Sequence, residues 1–251
     1  MNRQRIAIIT LDLWGTLLLD GPGSDERYRL RRLEDFKAIL AAVGMSVKAS
    51  QLARAYERSM SYLGATWLQC RDVPVEAHVR AIVNGVQPDL AERLPAAAMA
   101  ELVEAYSRPA LVVPPTVDSG ALGALEVLCA RGCSLAVVSN TMRTPGVVLR
   151  KILEHYRLLG CFQHTTFSDE VGIRKPDPEI FAMTLRALGG EPQSALHVGD
   201  DPILDVEGAR AAGMRVIQVA GGARETSAGA RPDATIRRLA DLPVAVASLD
   251  G

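Results

Sequence analysis

Apolar and polar positions along this chain fall into three successive patterns. Residues 6–11 read IAIITL, a short β-branched and apolar run that meets an acid at Asp12. A run of that length and composition predicts a buried strand of a parallel sheet. Asp20-Gly21-Pro22-Gly23-Ser24 then breaks the pattern as a linker. From about residue 24 to 107 the apolar positions recur at helical spacing, with no strand pattern between them. Leu33, Phe36, Leu40 and Val43 share a face of a first helix, closed by Gly44. Leu52, Tyr56, Met60 and Leu63 share a face of a second, opened at Ala49 or Ser50. Residues 74–83 and 95–106 predict two more.

Pro109 and Pro114-Pro115 mark a change of grammar. A helix opened by Asp118 or Ser119 carries Leu122, Leu125 and Leu128 and stops at Gly132. A strand over 133–138 ends in Ser139-Asn140-Thr141. Thr144 is the expected cap of the next helix, with Pro145 at its first position. A weaker strand covers 162–167. Asp177-Pro178 opens a helix closed at Gly189, and a strand over 194–198 ends in Gly199-Asp200-Asp201. Asp201-Pro202 opens a helix closed at Gly213, and strands at 215–219 and 234–236 complete the set. This alternation predicts an α/β fold, a doubly wound parallel sheet with a Rossmann-like core. The first strand belongs to the same sheet, so the helical stretch is an insert. The expected division is a core of residues 1–20 and 112–251 and an all-helical unit of residues 21–111.

Composition narrows the class. Of 251 residues, 48% are apolar and 23% charged, as in ordinary globular proteins, and aromatics are only 4%, so aliphatic side chains must fill the core. A net charge of -1 gives no field that favours nucleic acid or membrane. Cys70, Cys129, Cys133 and Cys161 show no C-x-x-C spacing and read as reduced, mostly buried thiols of a cytoplasmic protein. The basic start leads into an apolar run too short to cross a membrane, without a small-residue cleavage site. A Gly-Gly-Ala loop near 221–230 is the one low-complexity stretch. No motif specifies an oligomeric state.

Strand ends of a parallel sheet share one edge, and ligands bind in the crevice beyond them. That edge should collect Asp12, Ser139, Lys175 from the loop GIRKPDP, and Asp200 with Asp201 and Asp205. Each has a plainer reading alone. Ser139 and Asn140 suit a turn, Lys175 a solvated surface, Asp177 and Asp201 helix caps, Asp205 an exposed helix face. Together they make a coherent site. Asp12 and Asp200 supply the hard oxygens that Mg²⁺ prefers. Lys175 balances packed carboxylates, and a serine hydroxyl suits a phosphoryl oxygen. An aspartate can also act as nucleophile and become an aspartyl-phosphate.

Asp12-Leu13-Trp14-Gly15-Thr16-Leu17, Ser139-Asn140, Lys175-Pro176-Asp177-Pro178 and Gly199-Asp200-Asp201 through Asp205 resemble the haloacid dehalogenase superfamily of hydrolases in order and spacing over nearly the whole chain. The resemblance implies a role for each. Asp12 is nucleophile and metal ligand, Trp14 lends its main-chain carbonyl to Mg²⁺, and Gly15 and Thr16 shape the first loop. Ser139 binds the phosphoryl group beside Asn140. Lys175 balances charge, Asp200 binds the metal, and Asp205 supports it. The helical insert is a cap that closes over a small phosphorylated metabolite.

One position departs from the pattern. Phosphatases of this superfamily usually read D-x-D-G-T, and the second Asp is the general acid and base; here it is Trp14. An indole N–H does not exchange a proton at neutral pH. The resemblance therefore leaves three readings. The first is an atypical phosphohydrolase or phosphotransferase. The second is a metal-independent dehalogenase-like hydrolase, or a carbon–phosphorus hydrolase, which would need a cap lysine, Lys37 or Lys48. The third is a catalytically weak binding or regulatory protein. Dehalogenases of the superfamily also carry an aromatic at this place but lack the metal-binding Asp that Asp200 preserves. Of the other singled-out residues, Arg27, Arg29, Arg31 and Arg32 suit the wet face of a helix or an anionic substrate. Trp14 suits stacking on a substrate or plugging the pocket. Trp67 suits the core, and His197 a buried structural role.

Overall fold

The computed structural model describes residues 5–220 and 230–250, so most of the Gly-Gly-Ala stretch near 221–230 lies outside the described residues. The strands are β1 (Ile8–Leu11), β2 (Leu18–Leu19), β3 (Thr116–Val117), β4 (Ser134–Ser139), β5 (His164–Phe167), β6 (Ala195–Gly199), β7 (Arg215–Val219) and β8 (Ala234–Ile236). Six of them form one parallel sheet in the order β5-β4-β1-β6-β7-β8. β1 lies between β4 and β6, with Leu11 in register with Val137 on one side and Val198 on the other. All four β1 residues are buried, as a central strand covered on both faces requires.

Between β2 and β3 lie α1 (Ser24–Ala42), α2 (Ala49–Trp67), α3 (Val75–Val86), α4 (Leu90–Arg93), α5 (Ala96–Ser107) and α6 (Pro109–Val112). Their apolar faces make a cluster of their own around Phe36, Leu52, Ile82, Leu102 and Tyr106, separate from the cluster under the sheet. The sequence predicts a linker at residues 20–24 and a proline break at 109–115, and no strand beside either. In the structure the flanking residues pair instead: Leu18 and Leu19 run antiparallel to Val117 and Thr116. A two-residue ladder is too short to leave a periodicity.

The remaining helices are α7 (Ala121–Ala130), α8 (Gly146–His155), α9 (Ser168–Val171), α10 (Pro178–Ala187), α11 (Gly208–Ala211) and α12 (Leu242–Leu249), with a π-helical stretch, Pro202–Glu207, leading into α11. Asp177 and Asp201 cap as expected, accepting from Glu179 N–H at 3.0 Å and from Ile203 N–H at 2.8 Å. Two expected caps differ. Thr144 makes no capping bond to α8; Asp169, from the neighbouring α9, accepts from Gly146 N–H instead. Asp118 accepts from Gly120 N–H, one residue ahead of α7. Of the cysteines only Cys133 is buried; the other three are half-buried, and all four are free. No helix among the described residues is long and apolar enough to cross a membrane.

Candidate functional site

The carboxyl ends of β1, β4 and β6 deliver Asp12, Ser139 and Asp200 to one edge, and the loop before α10 brings Lys175 beneath them. Asp12 extends β1 by one bond, its N–H donating to Val198 O at 2.8 Å. Its carboxylate is then fixed by Lys175, whose Nζ donates to Asp12 Oδ1 at 2.5 Å and to Asp205 Oδ1 at 2.6 Å. The solvated surface reading of Lys175 and the exposed-face reading of Asp205 both fail: each side chain is almost wholly covered. The helix that begins at Asp201 turns Asp205 inward beneath β6. There its Oδ2 accepts from Asp201 N–H at 2.9 Å. Gly199 leaves room for this, since a Cβ there would lie 2.2 Å from the Asp205 carboxyl carbon.

His197 completes the buried network. Its Nε2 is 3.1 Å from Asp205 Oδ1, and its Nδ1 is 2.8 Å from Thr10 Oγ1. Burial pushes the imidazole pKa down even with Asp205 beside it. A neutral ring that donates from Nε2 to Asp205 accepts the Thr10 hydroxyl proton at Nδ1. His197 has the buried place that its strand position predicts, and it holds Asp205.

Charge in the site is unevenly matched. Burial raises Asp205, but Lys175 and His197 outweigh it and hold the carboxyl below the usual range. Burial lowers Lys175, but Asp12 and Asp205 outweigh that and keep its pKa above the ordinary lysine value. Asp12 is pushed up to about 7 by burial, against the pull of Lys175 and with Asp205 and Asp200 adding to the rise. Asp200 is pushed up to about 6 by burial and by Asp205. Carboxylate oxygens of Asp12, Asp200 and Asp205 lie within 4.8 Å of one another. Both Asp205 oxygens have protein donors, whereas Asp12 Oδ2 accepts no hydrogen bond from a described residue. Among the described residues the Asp200 carboxylate has one side-chain donor, Thr16 Oγ1 at a long 3.4 Å, besides its own main-chain N–H. Asp12 and Asp200 therefore present under-compensated hard oxygens, a donor set that suits a divalent cation.

The first loop is shaped by close approach. Gly15 has φ +81°, and a Cβ on it would lie 2.5 Å from Asp200 Oδ2. Only glycine meets both demands. Main-chain bonds from Leu17 and Leu18 N–H to Leu13 O, at 2.9 and 2.7 Å, close the turn. Trp14, inside that turn, is half-buried, and its covered indole N–H has no partner among the described residues.

Ser139 and Asn140 are placed differently from one another. Ser139 is fully covered, its Oγ 3.5 Å from Asn140 O. Asn140 lines the site cavity, yet its amide is engaged with Lys175: Nδ2 donates to Lys175 O at 3.0 Å and Oδ1 accepts from Lys175 N–H at 2.8 Å.

The site cavity holds about 130 Å³. A second cavity of about 380 Å³ shares Trp14 and Met142 with it and runs under α1 and α2. Trp67 lines this cavity rather than a core: Arg174 stacks over its ring at 4.3 Å and its Nε1 donates to Asp72 Oδ1 at 3.0 Å. The four arginines of α1 do not share one wet face. Arg29 and Arg31 pair with Glu26 and Asp35, and Arg27 donates to Ser24 Oγ, but Arg32 is buried. Neither Arg143 nor Arg174 stood out in the sequence, since each owes its place to partners far along the chain.

Comparison with known proteins places this arrangement. A family model described as haloacid dehalogenase-like hydrolase matches residues 6–213. Over 150 residues the chain is 35% identical to the phosphoserine phosphatase of Thermus thermophilus, covering 59% of this chain and 57% of that protein. Over 137 residues it is 34% identical to the phosphoglycolate phosphatase of Aquifex aeolicus, covering 55% of this chain and 58% of that protein. The matched region thus spans little more than half of these curated relatives. Among solved structures, the HAD phosphatase of Thermococcus onnurineus superposes with a TM-score of 0.62 at 26% identity, covering 95% of this chain and 97% of that one. The 2-haloacid dehalogenase of Pseudomonas syringae superposes with a TM-score of 0.70 at 24% identity, covering 97% and 99%, a likeness of fold.

Proposed function

Since this chain belongs to the haloacid dehalogenase-like hydrolases, we propose that it is a Mg²⁺-dependent phosphohydrolase or phosphotransferase. It acts on a small phosphorylated metabolite through an aspartyl-phosphate on Asp12. The observation that carries this reading is the charge balance at the strand ends. One ammonium, Lys175, serves Asp12 and Asp205, while Asp12 Oδ2 and Asp200 keep uncompensated charge. The relatives named as phosphatases support the same class of reaction.

In this reading Asp12, Asp200 and the Trp14 carbonyl hold the cation, and Asp205 acts behind Lys175. Bound Mg²⁺ supplies positive charge to the phosphoryl oxygens and to the crowded carboxylates. Asp12 Oδ2 attacks phosphorus, forming a carboxylate–phosphate bond as the ester bond to the leaving group breaks. Lys175 orients Asp12 and pulls its pKa down against the effect of burial. Ser139 is assigned to the phosphoryl pocket, with Gly15 and Thr16 shaping the loop and Asn140 holding Lys175 in place. Trp14 donates no proton, so the departing oxygen takes one from water or from the substrate. Water, or an acceptor hydroxyl, then attacks the phosphorus, the carboxylate–phosphate bond breaks to regenerate the Asp12 carboxylate, and the nucleophile's proton passes to solvent. The unit of residues 21–111 serves as a cap over the site, on a core of residues 1–20 and 112–251. Four free thiols support a reducing, cytoplasmic setting. The Asp200 carboxylate favours phosphorus over a metal-independent attack on carbon.

The test is phosphate release from p-nitrophenyl phosphate and acetyl phosphate, with and without Mg²⁺, against Asp12→Asn. Both substrates have good leaving groups, so the missing acid matters least in expelling them. Metal-dependent release that disappears in Asp12→Asn is the expected result. No release together with no Mg²⁺ binding would overturn the reading in favour of a dehalogenase or a binding protein.

A further inference from the structure

The larger cavity, of about 380 Å³, lies against the site and carries a charge imbalance of its own. Arg32, from α1, is only 3% exposed. Its Nε donates to Tyr106 O at 2.7 Å, its Nη1 to Tyr56 Oη at 3.2 Å and its Nη2 to Arg143 O at 3.1 Å. Arg143 is half-buried, its guanidinium 4.1 Å above the Tyr56 ring, its Nη1 donating to Tyr106 Oη at 3.0 Å. Its Nη2 is covered and has no partner. All these partners are neutral, and among the described residues neither guanidinium forms an ion pair with a carboxylate. Their field reaches His78, whose imidazole is driven down to about 3 by burial and by Arg143, Arg32 and Arg174.

Acids do line the cavity, and they do not answer this charge. Asp20, Asp25 and Glu57 are all exposed, and Glu57 lies 3.6 Å from Arg29. Water solvates exposed carboxylates; a covered guanidinium must be paired or carry an uncompensated cost. Two adjacent arginines without a counter-ion, one buried and one half-buried on the wall of an open cavity, are matched by a ligand that brings the counter-ion. Trp14 adds a covered, unpartnered indole N–H at the junction with the site.

We propose that this cavity is a leaving-group subsite for an oxyanion. The substrate is then a phosphate monoester whose departing portion carries a second anionic group, carboxylate or phosphate. That group pairs with Arg143 and Arg32, and Trp14 Nε1 donates to an oxygen of the linking portion. This deepens the phosphohydrolase reading and rests on it for seating the first phosphoryl group at Asp12. Trp14, where the usual acid is absent, acquires a positioning task in its place.

Binding is the readout, so that its failure and the failure of the hydrolysis reading stay distinct. Calorimetry on Asp12→Asn with Mg²⁺ compares 2-phosphoglycolate, the bisphosphate of ethane-1,2-diol and ethyl phosphate. The expected result is that one of the two probes with a second anionic end binds roughly 10- to 100-fold tighter than ethyl phosphate. Whichever binds tighter identifies carboxylate or phosphate as the group read. Adding Arg143→Met should abolish that preference while leaving ethyl phosphate within about threefold, and Arg143→Lys should restore part of it. Arg143 is chosen over Arg32 because its partial exposure makes it the safer fold. Equal binding of all three probes, or an equal loss for all three in Arg143→Met, would overturn the proposal. Absent hydrolysis of p-nitrophenyl phosphate by the unmodified chain would count against the phosphohydrolase reading alone.

Discussion

Asn140 grips the main chain of Lys175 with both ends of its amide, at 2.8 and 3.0 Å, across 35 residues of sequence. A lysine placed between two buried carboxylates must arrive with its backbone already fixed. Asn140→Ala leaves the Lys175 N–H and C=O without those partners. It should cost about 2–4 kcal/mol of stability. Residual activity should fall at least about tenfold, because Lys175 Nζ no longer holds Asp12. Urea unfolding and turnover of acetyl phosphate check the two effects.

Trp14→Asp restores the acid that the phosphatase pattern carries. If proton transfer limits this chain, the variant should gain roughly 10²–10⁴-fold on an alkyl phosphate with a poor leaving group. The gain on p-nitrophenyl phosphate should be much smaller. A ratio of rates for the two substrates, in wild type and variant, measures it.

Gly15→Ala meets two obstacles at once, a left-handed backbone and the Asp200 carboxylate at 2.5 Å. The strained conformation alone should cost about 1–2 kcal/mol. Displacement of Asp200 should weaken Mg²⁺ binding at least about tenfold, read by calorimetric titration of the metal.

Asp72 ties the loop between α2 and α3 to the sheet-bearing part of the chain. Its Oδ2 accepts from Arg174 Nη1 at 3.0 Å and from Ser168 Oγ at 2.5 Å, and Asp72 N–H donates to Gly172 O at 3.1 Å. Asp72→Ala strands a buried guanidinium, at a cost of about 3–5 kcal/mol. Hydrogen exchange across residues 68–74 should accelerate. In Asp72→Ala combined with Arg174→Met much of the stability should return, since no unpaired charge remains.

His78 makes the fold sensitive to acid. Its folded pKa is driven down to about 3 from an unfolded value of 6.5, so the unfolded chain alone takes up its proton as pH falls below 6.5. Above that pH the residue is neutral in both states and contributes nothing. At pH 5 it should remove about 2 kcal/mol of stability relative to pH 7. His78→Gln should therefore lose less stability than wild type between pH 7 and pH 5, measured by urea unfolding at both.

Local chemistry made much of this molecule legible before any coordinates. The run into Asp12 is a central strand because a short β-branched, largely apolar stretch, here Ile8, Ile9, Thr10 and Leu11, is buried along its whole length only inside a sheet covered on both faces. Asp177-Pro178 and Asp201-Pro202 open helices because an acid followed by proline caps the first turn wherever it stands. The alternation after residue 112 predicts a parallel sheet, and with it the shared edge where Asp12 and Asp200 meet, while the strand order is read from the structure. Other contacts are set by which surfaces face each other. Asp169 rather than Thr144 caps α8 because a neighbouring helix puts a carboxylate there. Arg32 is buried, unlike Arg31 beside it, because its face of α1 meets Tyr106 and the Arg143 carbonyl, the latter 111 residues away. Lys175 is covered because Asp12, at the end of β1, and Asp205, in the helical stretch after β6, converge on it. Periodicity and capping act within a few residues and can be read along the chain. The burial of a charge and its partner are fixed only when distant segments exclude water together, which is where tertiary structure decides the chemistry.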